Sequence, residues 1–219
     1  MLLETNIMSP QKPAVGTVIW MHGLGANNHD FDDIVPDFWS NDQLPLKFIF
    51  PNAPLRPVHI NMQTPTRAWY DVYSLTDLNC EDKTGIHASQ AAIDALIQQE
   101  INHGVPANRI VLAGFSQGGA MALYTGMRQK ATLAGILALS CYLPLLHEHA
   151  NTIHPNNAKT PIFMVHGTED MTLPYFVGKM SYDMIRKTHP NIQWKEYRMS
   201  HEITSSEIQD IGVWFKSIF

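Results

Sequence analysis

Ser116 is the residue whose surroundings most clearly prepare it for chemistry. It sits in Gly114-Phe115-Ser116-Gln117-Gly118, after the apolar, strand-like run Val111-Leu112-Ala113 and before the small residues Gly119-Ala120-Met121-Ala122. A strand that turns at once into a helix crowds together the positions two before and two after the turning residue. Glycine at both places removes the Cβ atoms that would obstruct the turn. Such a turn lifts a serine oxygen above the end of a sheet. The first N–H groups of the helix, which lack intrahelical partners, then face the point where an oxyanion would form. The chemistry implied is nucleophilic attack on a carbonyl. The plain alternative is a serine in an ordinary strand-to-helix turn, since Gly-x-Ser-x-Gly alone is a weak pattern.

A serine nucleophile needs a base, and the base needs an acid to hold its tautomer and stabilise its charge. In a strand–turn–helix setting the chain order is Ser, then Asp or Glu, then His. Downstream of Ser116, Asp170 follows the strand-like Pro161–Val165, and His201 follows the alternating run Ile192–Tyr197. Glu169 is the nearest rival for the acid. The chain has 11 histidines, so any one of them is more often structural than catalytic. His166 precedes the candidate acid and breaks the order. His189 is a weaker candidate, as are His147, His149 and His154, which lack the carboxylate spacing of a metal site. The strand Gly16–Met21 ends in His22-Gly23-Leu24-Gly25, a loop whose exposed N–H groups suit a second oxyanion donor. The pair expected is the N–H of Leu24 with the N–H of Gln117. A simple strand-end turn is the alternative for that loop.

The elements that must position these groups are legible from periodicity. Strands are expected at Gly16–Met21, Leu46–Phe50, the run into Ser116, Gly135–Ser140, Pro161–Val165 and Ile192–Tyr197. Helical spacing marks Asp30–Trp39, Thr84–Asn102, Gln117 to about Arg128, and a closing helix from Ile208 to Ile218. Strands alternating with helices across short turns predict a mostly parallel central sheet covered on both faces, within one domain spanning 1–219. Residues 52–66, rich in proline with little periodicity, are expected to form a long loop. Ile60, Met62, Trp69 and Tyr70 in and after it would line a groove for an aliphatic acyl chain, or Trp69 would simply pack in the core. The stretch 141–160 is too short for a helical cap domain, so an open, shallow site is expected.

Composition sets the limits. Hydrophobic residues make up 45% of the 219 and charged residues 16%, enough apolar material for a sizeable core. A net charge of −5 without a basic run argues against a nucleic-acid partner. No apolar stretch is long enough to span a bilayer, and Met1–Asn6 lacks a signal-peptide pattern, so a cytoplasmic protein with two reduced thiols, Cys80 and Cys141, is expected. No metal motif and no dinucleotide-binding glycine pattern occurs, and no cofactor is expected.

His22-Gly23-Leu24-Gly25, Arg67-Ala68-Trp69-Tyr70-Asp71, Gly114-Phe115-Ser116-Gln117-Gly118-Gly119, Ser140-Cys141-Tyr142-Leu143-Pro144 and His166-Gly167-x-x-Asp170 together resemble the acyl-protein thioesterase, lysophospholipase and bacterial carboxylesterase family. The resemblance covers almost the whole chain, in order. It implies a capless α/β-hydrolase, a triad of Ser116, Asp170 and His201, and oxyanion donors at Leu24 and Gln117. It also implies an acyl-binding loop around 58–73. The substrate would be an acyl ester or thioester, including an acylated protein, or alternatively a lysophospholipid, hydrolysed by a monomer or weak homodimer. A non-catalytic binding protein on the same fold is the remaining class. The chain departs from the family at Met171, where proline usually follows the aspartate, and at Ser200 and Glu202, where small residues usually flank the histidine. The segment Asn61–Thr66 is also shorter and less glycine-rich than in bacterial relatives.

Overall fold

The computed structural model describes residues 3–39, 44–74, 80–151 and 153–219. Its elements in chain order are β1 (Thr5–Met8), β2 (Gly16–Met21), α1 (Val35–Trp39), β3 (Leu46–Pro51), β4 (Leu55–Val58), β5 (Thr64–Arg67), α2 (Lys83–Asn102), β6 (Ile110–Phe115), α3 (Gln117–Arg128), β7 (Gly135–Leu139), β8 (Ile162–Gly167), α4 (Tyr175–Ile185), β9 (Ile192–Tyr197) and α5 (Ser205–Ile218). Seven strands form one sheet in the order β1-β3-β2-β6-β7-β8-β9. All neighbours run parallel except β1, which lies antiparallel on β3. This is an α/β-hydrolase fold with no inserted cap; the described residues of 141–160 carry only short 3₁₀ turns.

Burial explains the strand sequences. Strands β2, β7 and β8 are buried at every residue, and β6 at all but its last. Strands covered on both faces read as unbroken apolar runs, which is how they stand in the sequence. Successive side chains point to opposite faces, so β2 feeds two cores. Ile19 and Met21 pack with Ile86 and Ile93 of α2 and Met121 and Leu123 of α3. Val18 and Trp20 pack with Phe38 of α1 and Trp214 and Phe215 of α5. Strand β9 alternates because it is the half-exposed edge.

Two expectations need correction. The helix read over Asp30–Trp39 is a 3₁₀ turn, Asp32–Ile34, followed by the five-residue α1. Pro36 has no N–H to give the carbonyl of Asp32, so a continuous α-helix cannot cross it. The loop read over 52–66 contains an antiparallel hairpin, β4 on β5. Its prolines hid it, yet Pro57 and Pro65 face each other in register. In a pair whose N–H groups point outward, proline loses the ladder nothing. Strand β1, short and mixed in polarity, left no clear period.

Candidate active site

The C-terminal ends of β2, β6 and β8 and the loop after β9 converge on a cleft of about 600 Å³. Ser116 sits at its base with φ 54° and ψ −122°, a conformation that a residue with a side chain rarely adopts. The flanking glycines make it possible. A Cβ on Gly114 would lie 2.2 Å from the carbonyl carbon of Gly118, and one on Gly118 would lie 2.2 Å from the Met21 oxygen. The Ser116 N–H donates to the Leu139 carbonyl at 2.8 Å, tying the turn to β7.

Ser116 Oγ lies 2.9 Å from Nε2 of His201, and Nδ1 of His201 lies 2.7 Å from Oδ2 of Asp170. The other oxygen of Asp170 accepts the N–H groups of Thr172 and Leu173 at 2.9 and 2.8 Å. The carboxylate is thus buried, fully hydrogen-bonded and aimed at the imidazole, which leaves Nε2 free to take a proton from the serine. Glu169, the rival acid, faces solvent and pairs with Arg198 at 2.7 Å.

The N–H groups of Leu24 and Gln117 bond to no described residue, and both residues line the cleft beside Ser116. The Leu24 loop is braced from three sides. Trp69 Nε1–H donates to the His22 carbonyl at 2.9 Å, His22 Nδ1 lies 2.7 Å from the Gly23 carbonyl, and Gly25 N–H donates to the Arg67 carbonyl at 2.9 Å.

Of the four residues expected to line an acyl groove, Ile60 and Tyr70 line the cleft. Trp69 does not: it is fully buried and holds the Leu24 loop. Met62 does not either. It is 91% exposed and caps the turn between β4 and β5 in the left-handed conformation, which directs it outward. Phe31, Ile34, Val72, Phe115 and Leu173 complete apolar walls that sequence patterns did not single out. Tyr70 and Tyr142 also line the cleft, with their hydroxyls 3.1 Å apart. Burial pushes both phenols above their usual range, so they remain protonated.

The remaining histidines separate by environment. His166 Nε2–H donates to the Leu173 carbonyl at 2.9 Å beneath the Asp170 loop, and its ring stacks on Trp194. His189 donates to the Thr160 carbonyl at 2.6 Å. Burial holds both below the ordinary histidine range. His154 accepts from the Asn156 N–H at the surface. The side chain of His149 lies outside the described residues. Among the described residues no group of three or more His, Cys, Asp or Glu is placed to hold a metal ion. Glu202 lines the cleft and accepts from the Ser200 N–H at 3.2 Å. Cys80 and Cys141 are free thiols.

A parallel sheet whose strand β6 turns at a strained serine into α3, with a histidine and a buried aspartate in hydrogen-bonded succession beyond it, defines the α/β-hydrolase class. The sequence profile of the Phospholipase/Carboxylesterase family matches residues 3–217, and the chain belongs to that family of serine hydrolases. It is 40% identical over 204 residues to acyl-protein thioesterase 1 of Neurospora crassa, covering 89% of this chain and 83% of that one. It is 37% identical over 213 residues to acyl-protein thioesterase 1 of Yarrowia lipolytica, covering 94% of each. Among solved structures it superposes on acyl-protein thioesterase 2 of Zea mays with a TM-score of 0.87 at 27% identity, covering 98% of each chain. No helix of the described residues is long and apolar enough to cross a membrane.

Proposed function

We propose that the protein hydrolyses thioesters and esters of medium or long acyl chains, the acyl groups of modified proteins among them, through an acyl-enzyme on Ser116. The observation that carries this reading is the Ser116–His201–Asp170 succession opening onto an apolar cleft. Ser116 Oγ attacks the acyl carbonyl while its proton passes to Nε2 of His201, and Asp170 stabilises the imidazolium. The N–H groups of Leu24 and Gln117 receive the oxyanion; one such donor is typically worth about 3 kcal/mol of barrier. Collapse expels the thiolate or alkoxide, which leaves with the His201 proton. Water then gives its proton to His201, attacks the acyl-enzyme and releases the carboxylic acid and free Ser116.

The thioester preference is supported by similarity to proteins named acyl-protein thioesterases. The test pairs a fluorophosphonate label with substrate comparison. Wild type should label and Ser116→Ala should not. A palmitoylated peptide should be turned over faster than lysophosphatidylcholine, with p-nitrophenyl esters of graded length reporting chain preference. Faster cleavage of the lysophospholipid would replace the thioesterase reading with a lysophospholipase one.

A further inference from the structure

We infer that His22 is a positioning residue for catalysis: its imidazole sets the direction of the Leu24 N–H that receives the oxyanion. The inference rests on the proposed roles of Ser116 and Leu24. Its basis is the geometry of one peptide plane. In a trans peptide the carbonyl of one residue and the N–H of the next point in opposite directions. The Gly23 carbonyl is drawn to Nδ1 of His22 at 2.7 Å, so the Leu24 N–H of the same plane is turned the other way. Gly23 and Leu24 both line the cleft, and a Cβ on Gly23 would lie 3.3 Å from the Cβ of Ser116, so the plane lies against the nucleophile.

The ring has a single consistent tautomer. The Ala53 N–H, just past β3, donates to Nε2 at 3.0 Å, so Nε2 is bare and Nδ1 carries the proton given to Gly23. Ala53 lies two residues past β3 and Gly23 two residues past β2, so the imidazole bridges the segments that leave two adjacent strands. It is 1% exposed, with the Trp69 ring 5.6 Å away, and burial holds its pKa below the usual histidine value. A protonated ring would face the Ala53 N–H with another donor, so the neutral form is the one this geometry fits. The Ala26 N–H also donates to the Gly23 carbonyl, at a longer 3.2 Å; without the Nδ1–H donor that weaker bond alone holds the Gly23–Leu24 plane, which can then swing its N–H off the oxyanion. The apolar walls that hold the ground-state acyl chain are untouched, so kcat falls and KM does not.

The test begins on the wild type. Nitrogen-15 NMR of the histidine side chains, with the His22 signals identified by their loss in His22→Asn, should show the His22 ring with a proton on Nδ1 and a bare Nε2 at neutral pH. His22→Leu removes the donor. It should lower kcat by about 10- to 100-fold, with KM changed less than about twofold. Affinity for an acyl trifluoromethyl ketone, which forms an oxyanion on the enzyme, should fall by the same factor as kcat. His22→Asn places an amide donor where Nδ1 stood but gives nothing to Ala53, and should restore most of kcat and of that affinity. If His22→Leu does not fold, the asparagine variant and the wild-type spectrum decide. A proton on Nε2, an unchanged ketone affinity in His22→Leu, or an asparagine variant without activity would each overturn the inference. Turnover surviving in Ser116→Ala would instead remove the catalytic reading beneath it.

Discussion

Gln117 reaches across the cleft floor to Trp69: its Oε1 accepts the Trp69 N–H at 2.8 Å while its Nε2 donates to the neighbouring Tyr70 carbonyl at 2.7 Å. The residue just after Ser116 thereby fastens the segment that carries Tyr70 into the cleft wall and the Trp69 indole onto the Leu24 loop. One side-chain amide links the elbow, the wall and both proposed oxyanion donors.

Gln117→Glu tests that link. A carboxylate keeps the acceptor for Trp69 but has no proton for the Tyr70 carbonyl, and the buried mismatch should cost about 1–3 kcal/mol of stability at pH 7. Because the Gln117 backbone N–H survives, activity should drop through displacement of the wall, with KM rising for long-chain esters. Urea unfolding and steady-state kinetics on esters of two chain lengths measure both effects.

Gly118→Ala should abolish the native turn. The new Cβ would meet the Met21 carbonyl oxygen at 2.2 Å, and both atoms belong to backbone that cannot step aside. We expect a loss of about 3 kcal/mol or more and no fluorophosphonate labelling. Thermal melting and labelling of the same sample check it.

The cleft walls predict a split in specificity. Ile60→Asp should reduce kcat/KM for long acyl esters by about tenfold or more while sparing acetyl esters, since each methylene left unburied forfeits about 0.8 kcal/mol. Met62→Ser, on the outward face of the hairpin, should leave both substrates alike.

Acid should destabilise the protein through its buried histidines. His22, His166 and His189 are all held below the ordinary value of 6.5 by burial. Below pH 6.5 the unfolded chain therefore binds protons that the folded chain refuses. Stability present at neutral pH is lost as pH falls, each group adding up to about 1.4 kcal/mol per pH unit. His189→Gln keeps a donor for the Thr160 carbonyl and removes one titrating group, so the acid limb of urea-derived stability should become shallower.

Glu207 works in the opposite range. Burial raises its carboxyl from 4.5 to about 8, so it is protonated in the folded state at neutral pH while its unfolded counterpart is ionised. Stability therefore falls as pH rises from about 4.5 to about 8, and levels off beyond. Glu207→Gln retains an acceptor for the Thr204 N–H of the capping box and should flatten that slope. Unfolding free energy measured from pH 5 to 9 distinguishes the two profiles.

Local sequence gave no reading of α4 but determined the buried strands, the elbow and helices α2, α3 and α5. Each is written in a short window: an apolar run closed by Gly-x-Ser-x-Gly, or the spacing of Ile86, Ile93 and Ile97 along α2. It also placed Asp170 and His201 at strand ends in the right order, because strand ends are local features. What lay outside its reach depended on partners far along the chain. The β4–β5 hairpin is made by cross-strand register, in which Pro57 and Pro65 are harmless only because they face each other. Trp69 and Met62, two large apolar residues seven positions apart, went to opposite fates, one under the Leu24 loop and one into solvent. His22 and His166 look alike in sequence, each followed by glycine at the end of a parallel strand. Only the carbonyl each one finds, Gly23 for the first and Leu173 for the second, distinguishes a brace of the Leu24 loop from a brace of the Asp170 loop. A hydrogen bond is decided by the positions of both its ends, and a linear pattern carries just one of them.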